Sequence, residues 1–538
     1  MIAKALDIYV RDLSVEQWNN TQADVQFQGE GMSHDLASIL LTEAIQYSSN
    51  CLKKPVFALF LDAKAAFDRV RPNILARNIF LAGIMDHRLM YVDKRLTNRL
   101  TFVEFDRHLM GPNYDQRGLE QGGVSSSDAY KLYNNEQAQD AQSSKLGIHI
   151  KSESVSCISQ ADDAVLLSNS IIDLNNLFHL TKSYCSKYDV ELVPEKLKLL
   201  AIGGDRCKDD IEYAKLISRI AMNDNAIPFS QEAEHLGVIR ASSGSNLQHI
   251  FSRISAHRGK LHTLLPIGMA LNHNASVSAS LKVEKMYALP VLMSDLPALV
   301  LTTYEIRILH NHYKNVLRML LKLPARTPET AIYFLAGSMP FEAYLHLRQL
   351  SLFGMVCHKT GNILQNIGKI ILTELKSSAL SWFQKIRSYC IMYDLPHPLA
   401  LLETPIPKLR FKSLCKQKVH IYWRKKLSNS LSELPSLAFI QPHYLSLQHA
   451  HPLWSSLDSN PYHAKAARTQ SLFLTGRYKS ERFTRFCSNN PQGYCLLNSC
   501  KDLKQFDDYL HSCYVAQICL PNEDDLIFLY QILLPLSR

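Results

Sequence analysis

Six consecutive apolar residues, Val56-Phe57-Ala58-Leu59-Phe60-Leu61, end without transition on Asp62. A run this short, bounded and free of alternation is the pattern of a strand buried on both faces. A second strand-like stretch spans Glu153–Leu167: ESVSCISQ, then Ala161-Asp162-Asp163, then AVLL. Two short strands separated by a polar Asp-Asp turn predict a β-hairpin with the carboxylates at its tip. A helix is predicted over about 173–187, followed by the extended Val190-Glu191-Leu192-Val193 and the basic Glu195-Lys196-Leu197-Lys198. Strand and helix alternate here, which predicts an α/β layer of about 180 residues.

The flanks read as helical. From His34 to Ile45 the apolar positions recur at amphipathic spacing, and Pro72 fits the first turn of a helix running to about Gly83. Beyond about 245, Ile250, Ile254, Leu261, Leu264 and Leu265 fall on one helical stripe, with Arg253, Arg258 and Lys260 elsewhere. Prolines at 266, 290, 297, 324, 328 and 340 divide this region into moderate helices, and 380–480 is also expected to be helical.

A chain of 538 residues predicts two to four domains. No stretch approaches the roughly 18 uninterrupted apolar residues of a membrane span. The start, MIAKALDIYVRDL, has no apolar signal core, so the expected location is intracellular, nuclear or cytoplasmic. Of 12 cysteines most are scattered singly (Cys51, Cys157, Cys185, Cys357, Cys390), the usage of buried thiols rather than disulfides. The net charge is +10 and unevenly spread. From Lys408 to Lys426 there are eight Lys/Arg and no acid, with Phe411, Tyr422 and Trp423 among them. Such a cluster suits a phosphate backbone and unstacked bases. Equally, it suits a solvated helix face whose aromatics point into a core.

Asp62 at a strand end and Asp162-Asp163 at a hairpin tip are the residues that point to chemistry. Taken singly, each is ordinary: aspartates cap helices, and Asp-Asp is a common turn dipeptide. Brought together, three carboxylates cannot all stay ionised without a compensating cation. Two Mg²⁺ ions about 4 Å apart are the natural compensator and serve in-line phosphoryl displacement.

The surroundings of these residues resemble a known family. Phe60-Leu-Asp62-Ala-Lys-Ala-Ala-Phe67-Asp68 resembles the first palm motif of reverse transcriptases of retrotransposons that lack long terminal repeats, the LINE type. Arg117-Gly-Leu-Glu-Gln121-Gly122-Gly-Val-Ser-Ser126 resembles the second motif, and Gln160-Ala-Asp162-Asp163 stands where the third, usually Tyr-Ala-Asp-Asp, belongs. Tyr188-Asp-Val-Glu-Leu-Val-Pro-Glu-Lys196-Leu-Lys198 looks like the fourth, and His235-Leu-Gly-Val238 like the fifth, the primer grip.

The resemblance implies a ferredoxin-like α/β polymerase palm with partial fingers, then a mostly α-helical thumb and C-terminal region. Boundaries follow as fingers 1–55, palm 56–242, thumb 243–345, a helical basic region 346–480 and a Cys/His element 481–538. Implied roles are metal binding for Asp62, Asp162 and Asp163, with a further contact from the Ala63 carbonyl. Phe67 would exclude a 2′-hydroxyl, Gln121 and Gly122 would support the nascent pair, and Gln160 would meet the primer end. Lys196 would neutralise or protonate the leaving pyrophosphate, with Lys198 an equal rival. Implied partners are an RNA template, a DNA primer and deoxynucleoside triphosphates, with two Mg²⁺ as cofactors. Cys495, Cys500, His511 and Cys513 are four candidate Zn²⁺ ligands, although Asp508 stands where the family's His would fall.

Gln26-Phe-Gln-Gly-Glu-Gly-Met-Ser33 resembles the segment after the finger strands, so the resemblance implies a chain truncated at its N-terminus and lacking the fingers' triphosphate-clamping cations. The alternative expectation is a catalytically inactive, retrotransposon-derived nucleic-acid-binding relic. A palm-like nucleotide cyclase is a third reading, which the Gln-Gly motif argues against.

Overall fold

In the computed structural model, the described residues are 2–14, 22–23, 25–27, 33–97, 99–120, 123, 125–203, 207–264, 276–359, 362–376, 379–434, 437, 445–454 and 471–472. They divide into two units. One comprises the described residues up to His249, Asp295–Leu301 and Gln349–Lys412; the other comprises Ile250–Ser294, Thr302–Arg348 and those from Ser413 on.

The first unit is organised by a five-stranded sheet. Its strands are β1 (Val56–Leu61), β2 (Cys157–Gln160), β3 (Asp163–Ser168), β4 (Lys198–Ile202) and the short β5 (Phe229–Ser230), in the order β5-β4-β1-β3-β2. The first four strands are antiparallel in the order 4-1-3-2, the split β-α-β arrangement, and β5 joins β4 in parallel. Every residue of β1 is buried, as the unbroken apolar run predicts.

One face of β1, through Phe57, Leu59 and Leu61, shares a core with Leu75, Ile79, Tyr130, Tyr133, Leu174, Leu177 and Phe178. Those residues come from helices Pro72–Leu81, Ser126–Ser143 and Ile171–Tyr188. Pro72 does sit in the first turn of its helix. On the other face, Phe60 meets the ring of His235 at 5.6 Å.

The helix His34–Tyr47 departs from its amphipathic expectation: it is buried on nearly every side, including Ser38, Thr42 and Glu43. Its polar residues face protein instead of water. The buried Arg240 guanidinium donates to the Ser38 and Thr42 hydroxyls, at 2.8 and 3.0 Å. Glu43 Oε1 accepts from the Ser381 hydroxyl at 3.0 Å and from the Trp382 and Phe383 amides, so a distant carboxylate completes the N-terminus of helix Trp382–Met392. A ribbon of Arg99–Phe105 and His108–Asp115, which the sequence patterns do not reveal, forms a separate two-stranded sheet.

The second unit is helical. Within helix Leu247–Thr263, Ile250, Ile254 and Leu261 are buried, whereas Leu264, just past its end, is half-buried. Leu265 lies outside the described residues. His257 joins the buried set and meets His312 at 2.9 Å. Helix Thr303–Leu320 begins with a capping box between Thr302 and Glu305. Helix Lys408–Glu433, whose residues belong to the first unit up to Lys412 and to the second from Ser413, carries the basic cluster, and its Phe411 and Trp423 are buried. Of the cysteines named above, Cys51 is exposed and the others are buried. Among the described residues no helix is long and apolar enough to cross a membrane.

Candidate active site

The acids meet because three strand ends converge. β1 and β3 pair through Leu61↔Ala164, which places Asp62 and Asp163 at the next step of both strands. Gln160 and Asp163 close the hairpin, leaving Ala161 and Asp162 as a two-residue loop. Ala161 has φ +56°, a left-handed conformation usually left to glycine. Such strain is tolerated where surroundings hold it in place. Here Asn134, buried on helix Ser126–Ser143, donates to the Ser159 hydroxyl at 3.1 Å and to the Ala161 carbonyl at 3.2 Å.

Electrostatics record the crowding. Burial pushes the Asp163 carboxyl up to about 6, and the negative charges of Asp162, Asp62 and Glu234 push in the same direction. Lys196 opposes them. Its Nζ lies 3.0 and 3.1 Å from the two oxygens of Asp62. Asp62 is about one-third exposed and Asp162 is exposed, so the cluster opens to solvent. Next to Asp62, Ala63 bridges Leu192. The bonds on that side run from Val193 N–H to the Asp62 carbonyl and from Lys64 N–H to the Glu191 carbonyl. By the alternation of an extended chain, the Ala63 carbonyl points to the opposite edge, toward the hairpin. The raised Asp163 carboxyl, with Asp62 and Asp162 beside it and the Ala63 carbonyl at the same edge, is an oxygen donor set that fits Mg²⁺.

Phe67 is half-buried, its ring stacked on Tyr130 at 4.6 Å and 22°. The same segment accepts the chain at 118–119: Gly118 donates to the Val70 carbonyl and Leu119 to that of Phe67, both at 2.8 Å. Gly118 has φ +91°, and a Cβ there would stand 2.9 Å from the Asp68 carbonyl oxygen, so only glycine allows this approach. Arg71 and Arg117 pair with Asp189 at 3.0 and 2.7 Å, tying both segments to the end of helix Ile171–Tyr188.

The structure thus brings Asp62, Asp162, Asp163 and Lys196 together, with Ala63 alongside. Lys198 is separated from them: it lies on β4 opposite Phe60, exposed. The Gln160 Oε1 atom is buried with no hydrogen-bond partner among the described residues. Gln121 and Gly122 lie outside the described residues, as do Cys495, Cys500, His511 and Cys513. The fifth motif is a hairpin of Glu232–His235 and Val238–Ala241 turning through Leu236 and Gly237, both at positive φ. Sequence reasoning missed Asn134, Glu234 and the arginines around Asp189. The first two carry no local signal, because their partners are far away in the chain.

Residues 18–239 match the family described as "Reverse transcriptase (RNA-dependent DNA polymerase)", so the chain carries a reverse transcriptase domain there. No curated protein sequence matches the chain. Among solved structures it is similar to apo telomerase from Candida tropicalis, at 11% identity and a TM-score of 0.36 over 76% of this chain and 61% of that one. It is also similar to telomerase from Candida albicans in complex with a TWJ fragment of telomeric RNA, at 10% identity and a TM-score of 0.31 over 75% and 58%. A C. tropicalis telomerase structure truncated of its C-terminal domain matches at 12% identity and 0.27, over 43% of each chain. The chain therefore spans 43–61% of the length of these structures.

Proposed function

We propose that this reverse transcriptase domain is an RNA-directed DNA polymerase of a non-long-terminal-repeat, LINE-type retrotransposon. In this reading the β1–β4 sheet with its helices is the polymerase palm, and the helices after about 243 include the thumb. The observation that carries the proposal is the convergence of Asp62, Asp162 and Asp163 at the strand ends, with Asp163 raised to about 6 by burial and by its neighbours' charge. The LINE assignment is supported by the order and wording of the five motifs.

Asp62, Asp162, Asp163 and the Ala63 carbonyl would hold two Mg²⁺. When bound, these ions supply the positive charge that acidifies a primer 3′-hydroxyl and steadies pyrophosphate as a leaving group. The protein's own residues do the rest. Lys196 sits at Asp62 and is placed to move onto the pyrophosphate oxygens as they become charged, or to give them a proton. Phe67, braced by Tyr130, forms a wall under the sugar and excludes a 2′-hydroxyl. Gln121 and Gly122 support the template base, and Gln160 meets the primer end. Asn134 keeps the hairpin tip fixed while substrates change.

Matched RNA and DNA templates carrying one DNA primer test this reading. It predicts extension on RNA with deoxynucleotides and at least tenfold less product with ribonucleotides. Extension on DNA templates alone would contradict it.

A further inference from the structure

The helix Lys408–Glu433 lies beyond the reverse transcriptase match, and its buried and charged positions are sorted with unusual regularity. Phe411, Cys415, Val419, Trp423, Leu427 and Leu431 are all buried, each four residues after the last. That stripe absorbs the aromatics Phe411 and Trp423, so they are unavailable for stacking on bases. Beside it runs a second row at the same spacing: Lys408, Lys412, Lys416, His420 and Arg424. The four Lys and Arg of this row are exposed, and His420 is half-buried. Residues at i and i+4 lie on one face, about 6 Å apart along the axis.

Like charges at this spacing oppose helix formation. The helix nonetheless contains no acid before Glu433. Among the described residues no carboxylate pairs with Lys412, Lys416 or Arg424. Burial, and after it the charges of Lys416 and Lys285, hold the His420 imidazole below its ordinary pKa, so Lys285 adds its charge to the same face while His420 itself adds none. Lys408, Lys412 and Lys416 follow one another at about 6 Å along the axis, and Arg424 continues the row beyond the uncharged His420. Such a row of cations, with the Phe411 and Trp423 rings buried beside it, matches a linear polyanion read by charge.

We propose that the Lys408–Arg424 row is a binding ridge for the phosphate backbone of one nucleic-acid strand, tracking successive phosphates without reading bases. The choice of nucleic acid over another polyanion rests on the reverse transcriptase reading, but the binding itself requires no catalysis.

The test is binding of labelled 20-nucleotide single-stranded RNA and DNA to the full chain in EDTA, by fluorescence anisotropy across a salt series. The ridge variant is Lys412→Gln, Lys416→Gln, Arg424→Gln. The control variant removes as many charges from other faces of the same helix: Arg410→Gln, Lys418→Gln, Lys425→Gln. At about 0.7 per phosphate contact, the ridge variant loses about 2 from the slope of log affinity against log salt, and its affinity falls at least tenfold at 100 mM salt. Control affinity stays within threefold of the parent, and the ridge variant melts no lower than the parent because like-charge repulsion has been removed. Equal losses in both variants, or no loss in the ridge variant, overturn the proposal. So does loss of binding to phosphatidylserine vesicles by the ridge variant while its oligonucleotide binding persists. Running the same series on an Asp162→Asn, Asp163→Asn protein keeps the two readings apart. Ridge binding survives there even if no variant ever extends a primer.

Discussion

Lys196 and Asp62 are 134 residues apart, yet the lysine ammonium lies 3.0 and 3.1 Å from the two carboxylate oxygens. Of the two lysines that the fourth motif leaves open, this one alone reaches the acidic cluster, because Lys198 is held on β4 opposite Phe60. If Lys196 serves the leaving pyrophosphate, Lys196→Gln lowers the single-turnover extension rate by about 10²-fold, the lower end of general acid catalysis. Lys198→Gln stays within about threefold. Rapid-quench measurement of one nucleotide addition checks both, and an equal loss in the two would remove the distinction.

The second prediction follows from Asp163. Its carboxyl is raised to about 6, so the folded state binds its proton more tightly than the unfolded chain does. Such a group favours folding below its unfolded pKa, and that contribution is lost as pH rises through about 6. Asp163→Asn removes the charge without changing the shape. It should therefore raise Tm at pH 8 by about 2–4 °C, the shift expected from about 1 kcal/mol in a domain of this size. At about pH 3, below the unfolded pKa, where the carboxyl is mostly neutral in both states, the gain should largely vanish. Thermal melts at the two pH values decide, and an equal gain at both would point to packing instead of charge.

Much of this site was legible because the decisive residues sit at abrupt boundaries. Asp62 terminates an unbroken apolar run, and Asp162-Asp163 interrupts two short strands, so local pattern alone placed one at a strand end and the other at a hairpin tip. That the two strands pair through Leu61 and Ala164 has no local signal. The helix His34–Tyr47 was misread as amphipathic for an equally physical reason. Its polar residues are satisfied by Arg240 and by Ser381–Phe383, and a single sequence gives no sign of partners that remote. Asn134 escaped notice likewise, since an asparagine within a helix has many ordinary explanations until its hydrogen bonds are seen.

Asn134 yields the third prediction. Asn134→Ala leaves the Ala161 carbonyl and Ser159 hydroxyl without their donor, a loss of about 1–3 kcal/mol for buried groups. The strained turn at Ala161 then loses its brace. Extension should fall mainly in kcat, with little change in KM for the nucleotide, because the aspartates become misplaced while substrate contacts persist. Steady-state kinetics alongside a melt separate this from general unfolding, in which only the fraction of active protein would fall.

A fourth prediction concerns Phe67. Replacing it with alanine removes the ring stacked on Tyr130, at a cost of about 0.5–1.5 kcal/mol from the aromatic pair alone. In the proposed role it also removes the wall beneath the sugar. Phe67→Ala should therefore lower the preference for deoxy- over ribonucleotides at least tenfold, measured as the ratio of kcat/KM values. An unchanged ratio with a lowered Tm would make Phe67 a core residue only.

In the proposed mechanism Asp62, Asp162 and Asp163 act as one metal-dependent catalytic cluster. Its most direct test is Mg²⁺-dependent extension of a DNA primer on an RNA template by this chain and by its Asp162→Asn, Asp163→Asn double variant. The parent should make DNA in Mg²⁺ and none in EDTA, and the variant none in either, with both proteins binding the template–primer alike. Extension by the variant at the parental rate would contradict the three-aspartate mechanism. If neither protein extends the primer while both bind it in a salt-sensitive way, the polymerase reading fails and the nucleic-acid-binding relic takes its place.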